Sequence, residues 1–177
     1  MESSRAAHVV VPDWLVLEGE VEPLSVGGLV HCDIEVWDAT WTASDARLPV
    51  ISFVETDHAG RPVSNVIGIA HVAAEQTMDG FFVAAGDVWV WTYTGEYEGT
   101  HGLVPPRPVP EHGAWVELRG TLGVVPAYVA ESTFDPLRAA APRQGLTVPC
   151  DRWRILDAVP QPSGDWIVSL ESDSYAA

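Results

Sequence analysis

Three residues at alternate positions, His31, Asp33 and Glu35, carry the side chains that most resemble a set of metal ligands. On an extended strand they would share one face at steps of about 7 Å, and an imidazole with two carboxylates can bind a divalent cation. Alternating polar and apolar residues are equally typical of a half-buried strand, and metal ligands usually converge from separate elements. The sequence offers no second cluster of ligands. We therefore expect no metal, and these three residues are the candidates if one binds.

Acid–base chemistry has two candidates, Glu96 and His101, in the loop that follows the most aromatic segment of the chain. Either side chain could transfer a proton if it reached a pocket. The sequence contains no nucleophile elbow, no phosphate-binding glycine loop, no dinucleotide fingerprint and no Cys-x-x-Cys pair. We therefore predict a binding protein without a cofactor rather than an enzyme.

The aromatic segment itself, residues 88–94, predicts a strand with two apolar faces. Trp89, Trp91 and Tyr93 form one face, while valine and threonine form the other. Such a strand lies inside a sandwich or has one face on an internal cavity. The chain contains 8 tryptophans, and indole rings often line pockets or contact surfaces. Together with Trp37 and Trp41, this row is the predicted surface for a ligand or a partner.

The charge of the chain restricts its partners. Its 177 residues carry 25 acidic side chains against 9 basic ones, all arginine, for a net charge of −16. A surface this negative repels nucleic acid, whose binding depends on basic side chains that displace counterions. The same charge favours a basic protein partner through long-range attraction, although acidity can also serve solubility alone. The sequence contains no apolar run long enough to cross a membrane, and its 2 cysteines predict free thiols in the cytoplasm.

A short motif that occurs twice in the chain predicts part of the fold that holds these residues. Residues 14–21, WLVLEGEV, return as residues 115–122, WVELRGTL, with tryptophan, leucine and glycine at the same offsets. With a period of two, apolar residues and the glycine share one face of a strand. A glycine in such a place marks a bend or the close approach of another backbone. The motif therefore predicts two strands that curve to help close a barrel.

Short strands separated by glycine and proline fill the rest of the chain and predict an all-β fold, an antiparallel barrel or sandwich with at most one or two short helices. Strands are expected at 29–42, 49–56, 63–76, 88–94, 152–156 and 166–170, and a helix at 134–141. The glycine-interrupted motif resembles the first strand of the oligonucleotide/oligosaccharide-binding (OB) fold. Residues 9–104 are expected to form one β region, 105–113 a proline-rich connection, and 114–171 a second β region packed on the first as one body.

These observations favour an acidic β-barrel that binds a protein partner, whether basic or not, and that performs no catalysis. The alternative is a barrel that encloses a small apolar or aromatic ligand, including an enzyme that works through shape, such as a cyclase or an isomerase. A binder of single-stranded nucleic acid fits least, because the aromatic side chains are present but the basic groove is not.

Overall fold

The computed structural model describes residues 6–72, 80–93 and 108–173. Half of the structure is strand (50%) and 16% is helical, and five of the strands close into a barrel. The predicted all-β barrel is therefore confirmed. None of the helices in the described ranges is long and apolar enough to cross a membrane.

The described residues form ten strands, three short α-helices and one 3₁₀ helix. The strands are β1 Ala6–Val11, β2 Leu29–His31, β3 Ile34–Ala43, β4 Val50–Thr56, β5 Pro62–His71, β6 Gly80–Ala85, β7 Val88–Tyr93, β8 Trp115–Val124, β9 Arg152–Pro160 and β10 Trp166–Ser172. The helices are α1 Asp13–Leu17, α2 Ala127–Ser132, α3 Phe134–Ala140 and the 3₁₀ helix Ala141–Gln144.

The barrel closes through five strands in the order β8, β3, β7, β6, β5 and back to β8. The β3–β7 pair is parallel, and the other four pairs are antiparallel. Since the β6–β7 hairpin and the β5–β6 pair follow one another along the chain, most of the wall is a meander. Strands β3 and β8 complete the wall. β3 pairs in parallel with β7 at one end of the meander, and β8 pairs with both β3 and β5.

Strand β8 belongs to the barrel and to a second set of strands at once. Its first half, from Trp115 to Gly120, pairs with β5, while Leu122 and Gly123 pair in parallel with β1. From β1 the sheet continues through β10 and β9 to β2, and β4 adds to β5 on the other side. The expected division into two β regions stays a prediction, but β8 shows that strands from both sequence ranges pair directly.

Apolar side chains fill the barrel interior. The inward positions of β3, β5, β6, β7 and β8 belong to one continuous buried cluster that extends under β1, β9 and β10. Within the barrel this cluster includes Ile34, Val36, Val66, Phe81, Val83, Val88, Val90, Val116, Leu118 and Leu122. A small barrel filled in this way is a packed core rather than a container.

The second copy of the repeated motif is the strand β8, and its glycine has the predicted role. Gly120 faces inward, and a Cβ atom there would lie 2.6 Å from the carbonyl oxygen of Trp37 and 2.6 Å from Val36 Cγ1. At this point the β3–β8 register shifts between Trp37 and Thr40, and Asp38 adopts a positive φ of 53°. The missing side chain lets β3 bulge against β8, so the barrel can close.

The first copy is not a strand, and this expectation was wrong. Residues 13–17 form α1, in which Leu15 is buried while Leu17 is 77% exposed, so the two do not share a face. Pro12, which has no N–H to continue the β ladder, ends β1 and caps the helix. Gly19 then takes a positive φ of 74° that turns the chain back. The four consecutive apolar residues 14–17 fit the period of a strand and that of a helix equally well, and the nearby Pro12 favours the helix.

Two other expectations need correction. The strand expected over 29–42 breaks at Cys32 and Asp33, because the Cys32 N–H donates to the carbonyl of Asp151 and Asp33 turns toward α3. The helix expected at 134–141 is confirmed as α3, and Thr133 occupies its N-cap position. The strand expected over 63–76 ends at His71, and residues 73–76 lie outside the described residues. The strand expected over 152–156 continues to Pro160, and those at 49–56, 88–94 and 166–170 are present as β4, β7 and β10.

Gly120→Ala should lower the free energy of unfolding by about 1–3 kcal/mol, because the new methyl group would press on the β3 backbone. Urea denaturation followed by tryptophan fluorescence measures the loss. The control is Arg119→Ala, the exposed neighbour on the same strand, whose ion pair with Glu55 is worth less than about 1 kcal/mol. Equal losses in the two variants would contradict the role given to Gly120.

Candidate functional site

The candidate site lies on the outer side of the barrel wall, not inside it. On β3 and β7 the even-numbered residues face the core, so the odd-numbered ones face outward. The parallel register places Glu35 beside Trp91. We call the outward group Glu35, Trp37, Trp89, Trp91 and Tyr93 the outer aromatic face. The predicted aromatic row therefore exists. Of its two predicted settings, a buried core or a cavity inside the barrel, the second does not apply, because packed apolar side chains, mainly valine and leucine, fill the interior.

Half of the outer aromatic face is covered by α3. Phe134 and Leu137 of this helix pack with Phe82, Trp89 and Trp91 into a second buried cluster. The ring of Phe82 lies 4.8 Å from Trp91 and 5.0 Å from Phe134, with both pairs edge to face. Trp91 is 1% exposed as a result. Strand β7 thus has buried faces on both sides, as its sequence predicted.

The two covered indoles carry unsatisfied donors. Within the described part of the chain, Nε1 of Trp89 and Nε1 of Trp91 are buried and have no hydrogen-bond partner. Buried indole N–H groups usually find an acceptor, and leaving one without an acceptor costs free energy. The covered half of the face therefore holds two donors that could bind an acceptor.

The open half of the face is organised around Glu35. This carboxylate is only 6% exposed, and each of its oxygens accepts one hydrogen bond. Trp37 Nε1 donates to Oε1 over 2.7 Å, and the Tyr93 hydroxyl donates to Oε2 over 2.9 Å. The indole of Trp37 lies across Gly123 of β8, where a Cβ atom would be 2.2 Å from the ring. Gly123 therefore makes room for the donor that holds Glu35.

Burial shifts the proton equilibria of this pair. The loss of water raises the pKa of Glu35, while the hydrogen bonds from Trp37 and Tyr93 oppose that rise. Burial and the neighbouring carboxylate also raise the pKa of Tyr93, so its hydroxyl keeps its proton and acts as the donor. Among the residues that the structure describes, no cation contacts Glu35. Glu35 is thus a buried acid held by two neutral donors.

Asp33, two residues earlier, is buried in a different way. The Arg138 guanidinium of α3 binds both of its oxygens, with Nη1 3.0 Å from Oδ2 and Nη2 on Oδ1. Burial raises the pKa of Asp33, and the bonds from Arg138 oppose that shift. Arg138 also lies over the Phe134 ring, 5.7 Å from its centroid. This ion pair holds α3 against the β2–β3 junction and thereby keeps the aromatic cluster covered.

The three metal candidates do not come together. His31 ends β2 and is exposed, with Nδ1 2.9 Å from Oε1 of Glu22, whereas Asp33 binds Arg138 and Glu35 binds Trp37 and Tyr93. Within the described ranges, no group of three or more potential ligands is placed to hold a metal ion. The break between β2 and β3 removes the common face that their spacing predicted.

One further predicted site residue, Trp41, is separated from this face. Trp41 follows the β3 bulge and packs with the inner core, its indole 6.4 Å from Phe81 and its Nε1 donating to the Pro108 carbonyl over 2.9 Å. Trp37, Trp89, Trp91 and Tyr93 do share the outer side of the wall. The acid–base candidates Glu96 and His101 lie outside the described residues.

Two features of the site were missed in the sequence. One is the cover supplied by α3, although Phe134, Leu137 and Arg138 have the i, i+3, i+4 spacing of one helix face. The other is a histidine pair beside Trp89. The His71 ring lies 5.3 Å from Trp89 and 4.8 Å from His112. Burial and the nearby His112 lower the pKa of His71, so it is neutral near pH 7.

Comparison of the chain with models of protein families, with curated proteins and with solved structures finds no significant match. Function is therefore inferred from the contacts, burial and charge of the chain's own residues.

Arg138→Met should lower the free energy of unfolding by about 3–5 kcal/mol, because it leaves Asp33 buried without its cation. Chemical denaturation at neutral pH measures the loss. The double variant Asp33→Asn with Arg138→Met should recover most of it, since neither charge remains. If the double variant were no more stable than Arg138→Met alone, the ion pair would not be the cause.

Glu35→Gln should make the protein more stable at neutral pH. Because burial raises the pKa of Glu35, the folded protein releases this proton at higher pH than the unfolded chain does. The wild type therefore loses stability relative to the variant as pH rises above 4.5, the ordinary glutamate value, and the difference disappears below it. A glutamine can still accept from Trp37 and can donate to the Tyr93 hydroxyl.

The measurement is the free energy of unfolding at about pH 7 and about pH 4. Glu18→Gln, at an exposed position on the end of α1, changes the net charge equally and serves as the control. A Glu35→Gln protein that is less stable than the control at neutral pH would contradict the buried, uncompensated carboxylate.

Proposed function

We propose that this protein is a non-enzymatic acidic β-barrel module that binds a basic protein partner. The observation that carries the proposal is how the chain uses its arginines. Of the seven arginines in the described ranges, five contact carboxylates of the same chain: Arg61, Arg119, Arg138, Arg152 and Arg154. Internal pairing therefore occupies most of the positive charge, and the surplus of acidic side chains faces outward.

An unneutralised acidic surface attracts basic partners and repels nucleic acid. With 25 acidic side chains against 9 basic ones, the field of the molecule is negative at long range. Such a field raises the rate of encounter with a positively charged protein and disfavours a phosphate backbone. The filled barrel interior supports a role at the surface rather than transport of a ligand inside the barrel.

Binding of a basic probe tests the proposal. An oligo-arginine or oligo-lysine peptide should bind the full chain at low ionic strength. Its affinity should fall steeply as salt shortens the Debye length from about 30 Å at 0.01 M to about 3 Å at 1 M. Isothermal titration calorimetry measures both, with an oligo-glutamate peptide of equal length as the control. The absence of binding at low ionic strength would overturn the proposal.

A second candidate function is favoured by the unpartnered indoles. A small aromatic ligand with a hydrogen-bond acceptor could bind between β7 and α3 and accept from Trp89 and Trp91. This candidate is the small-ligand alternative, with the ligand bound on the outer wall instead of inside the barrel. An enzyme that works through shape would bind its substrate at the same place. A small molecule retained in native mass spectrometry of protein purified from its own host would favour it.

Two finer assignments belong with this proposal. We infer an OB-like barrel, supported by five closed strands and by Gly120, which lets β3 bulge against the inner side of β8. We infer a cytoplasmic location, supported by the two cysteines, Cys32 and Cys150, which are both free thiols.

A further inference from the structure

Glu35 differs from the other carboxylates that this chain buries. Asp33 is bound by Arg138, and Asp173 is bound by Arg152 at 2.9 Å and by Arg154 at 3.4 Å. Glu35 is buried as deeply as either, yet within the described ranges it contacts only the neutral donors Trp37 and Tyr93. Among the described residues, two buried acids are thus paired with an arginine and the third is not.

A buried carboxylate without a cation is costly to keep ionised, so its retention in the wall of the barrel calls for a reason. A leucine or a glutamine of similar size would fill the same space without a charge. The position would, however, gain a strong attraction for any cation that reached it, because low local polarity strengthens charge pairing. A cation that another molecule brought to Glu35 would therefore be bound strongly.

Glu35 has acceptor capacity left for a cation, and its partner Tyr93 reaches the surface. An ionised carboxylate accepts about four hydrogen bonds, and Glu35 accepts two. Tyr93, which holds Oε2, is 40% exposed and so connects the buried acid with the surface. Tyr128 of α2, whose phenol also contributes to the raised pKa of Tyr93, is well exposed. A planar cation that reached the carboxylate past Tyr93 would meet the phenol ring of that residue.

The chain already contains such an arrangement two residues away. Arg138 binds both oxygens of Asp33 and lies over the ring of Phe134. A guanidinium suits this setting because it is planar, stacks on aromatic rings and binds a carboxylate through two parallel hydrogen bonds. A lysine ammonium offers neither the plane nor the fork. The open half of the outer aromatic face has the same parts, an acid beside aromatic rings, without the arginine.

We propose that Glu35 and Tyr93 form a pocket for one arginine side chain of the basic partner, which stacks on Tyr93 and pairs with the carboxylate. The inference rests on the proposed function and names the residue that anchors the partner. The acidic surface supplies general attraction, and Glu35 supplies the specific contact. An anchor of this kind fits the usual pattern of interfaces, where a few desolvated arginine and aromatic contacts carry most of the affinity.

The test compares Glu35→Gln with Glu18→Gln for binding of a short oligo-arginine peptide to the full chain. Both variants remove one negative charge, but only the first removes the proposed anchor. We expect Glu35→Gln to weaken binding by about tenfold or more, and Glu18→Gln by less than about twofold. The wild type should also prefer oligo-arginine to oligo-lysine of equal length. Titration calorimetry at low ionic strength gives these affinities.

A second measurement shows where the peptide binds and does not depend on affinity. The Trp37 indole N–H, assigned with Trp37→Phe, should shift in the NMR spectrum when oligo-arginine is added, because its acceptor Glu35 gains a cation. Glu35→Gln should remove this shift while its unliganded spectrum still shows a folded protein. A Trp37 signal that stays fixed at saturation would overturn the pocket.

The outcomes separate the two proposals. If oligo-arginine binds the wild type and both variants equally, the pocket at Glu35 is overturned and the acidic binding module stands. If neither basic peptide binds the wild type, both proposals fail. If oligo-lysine binds as tightly as oligo-arginine and both depend on Glu35, the choice of arginine is overturned and the cation pocket stands.

Discussion

The structure depends on the close approach of β3 to β8 at Gly120. There the β3 backbone bulges into the space that a side chain at position 120 would occupy. The wall therefore curves enough for β8 to reach β5 and close the barrel. The same strand then leaves the barrel and pairs with β1. One strand therefore aligns the closed wall with the extended sheet, and residues far apart in the chain share one apolar core.

Closing the barrel leaves an apolar surface on the outer side of β7, which must be covered. Its valines fill the interior, and its tryptophans must then be covered from outside. Helix α3 provides the cover, and the Arg138–Asp33 ion pair holds the helix to the wall. The cover extends over Trp89 and Trp91 but leaves Tyr93 partly open. The site thus lies where the cover supplied by α3 ends, beside the buried carboxylate of Glu35.

The sequence predicted most of this fold, because alternation and glycine are local signals. Strand β8, the position of Gly120 and the two apolar faces of β7 could all be derived in advance. The conversion of residues 13–17 to helix could not, since a short apolar run fits both periods. Alternation also gives two faces without saying which one turns inward, so the sequence left open whether the aromatic row lines a cavity or packs in a core. The partners of Glu35 and Asp33, Tyr93 and Arg138, lie 58 and 105 residues away, and no local pattern connects them.

The absence of a side chain at Gly123 has an evolutionary consequence. Position 123 must be small because the Trp37 indole lies directly over it, and the indole fits there only because position 123 is small. In descendants of this chain the two positions should change together: a larger residue at 123 should accompany a smaller one at 37. A lineage that had exchanged both would have lost one of the donors to Glu35, and selection on the acid itself would then relax.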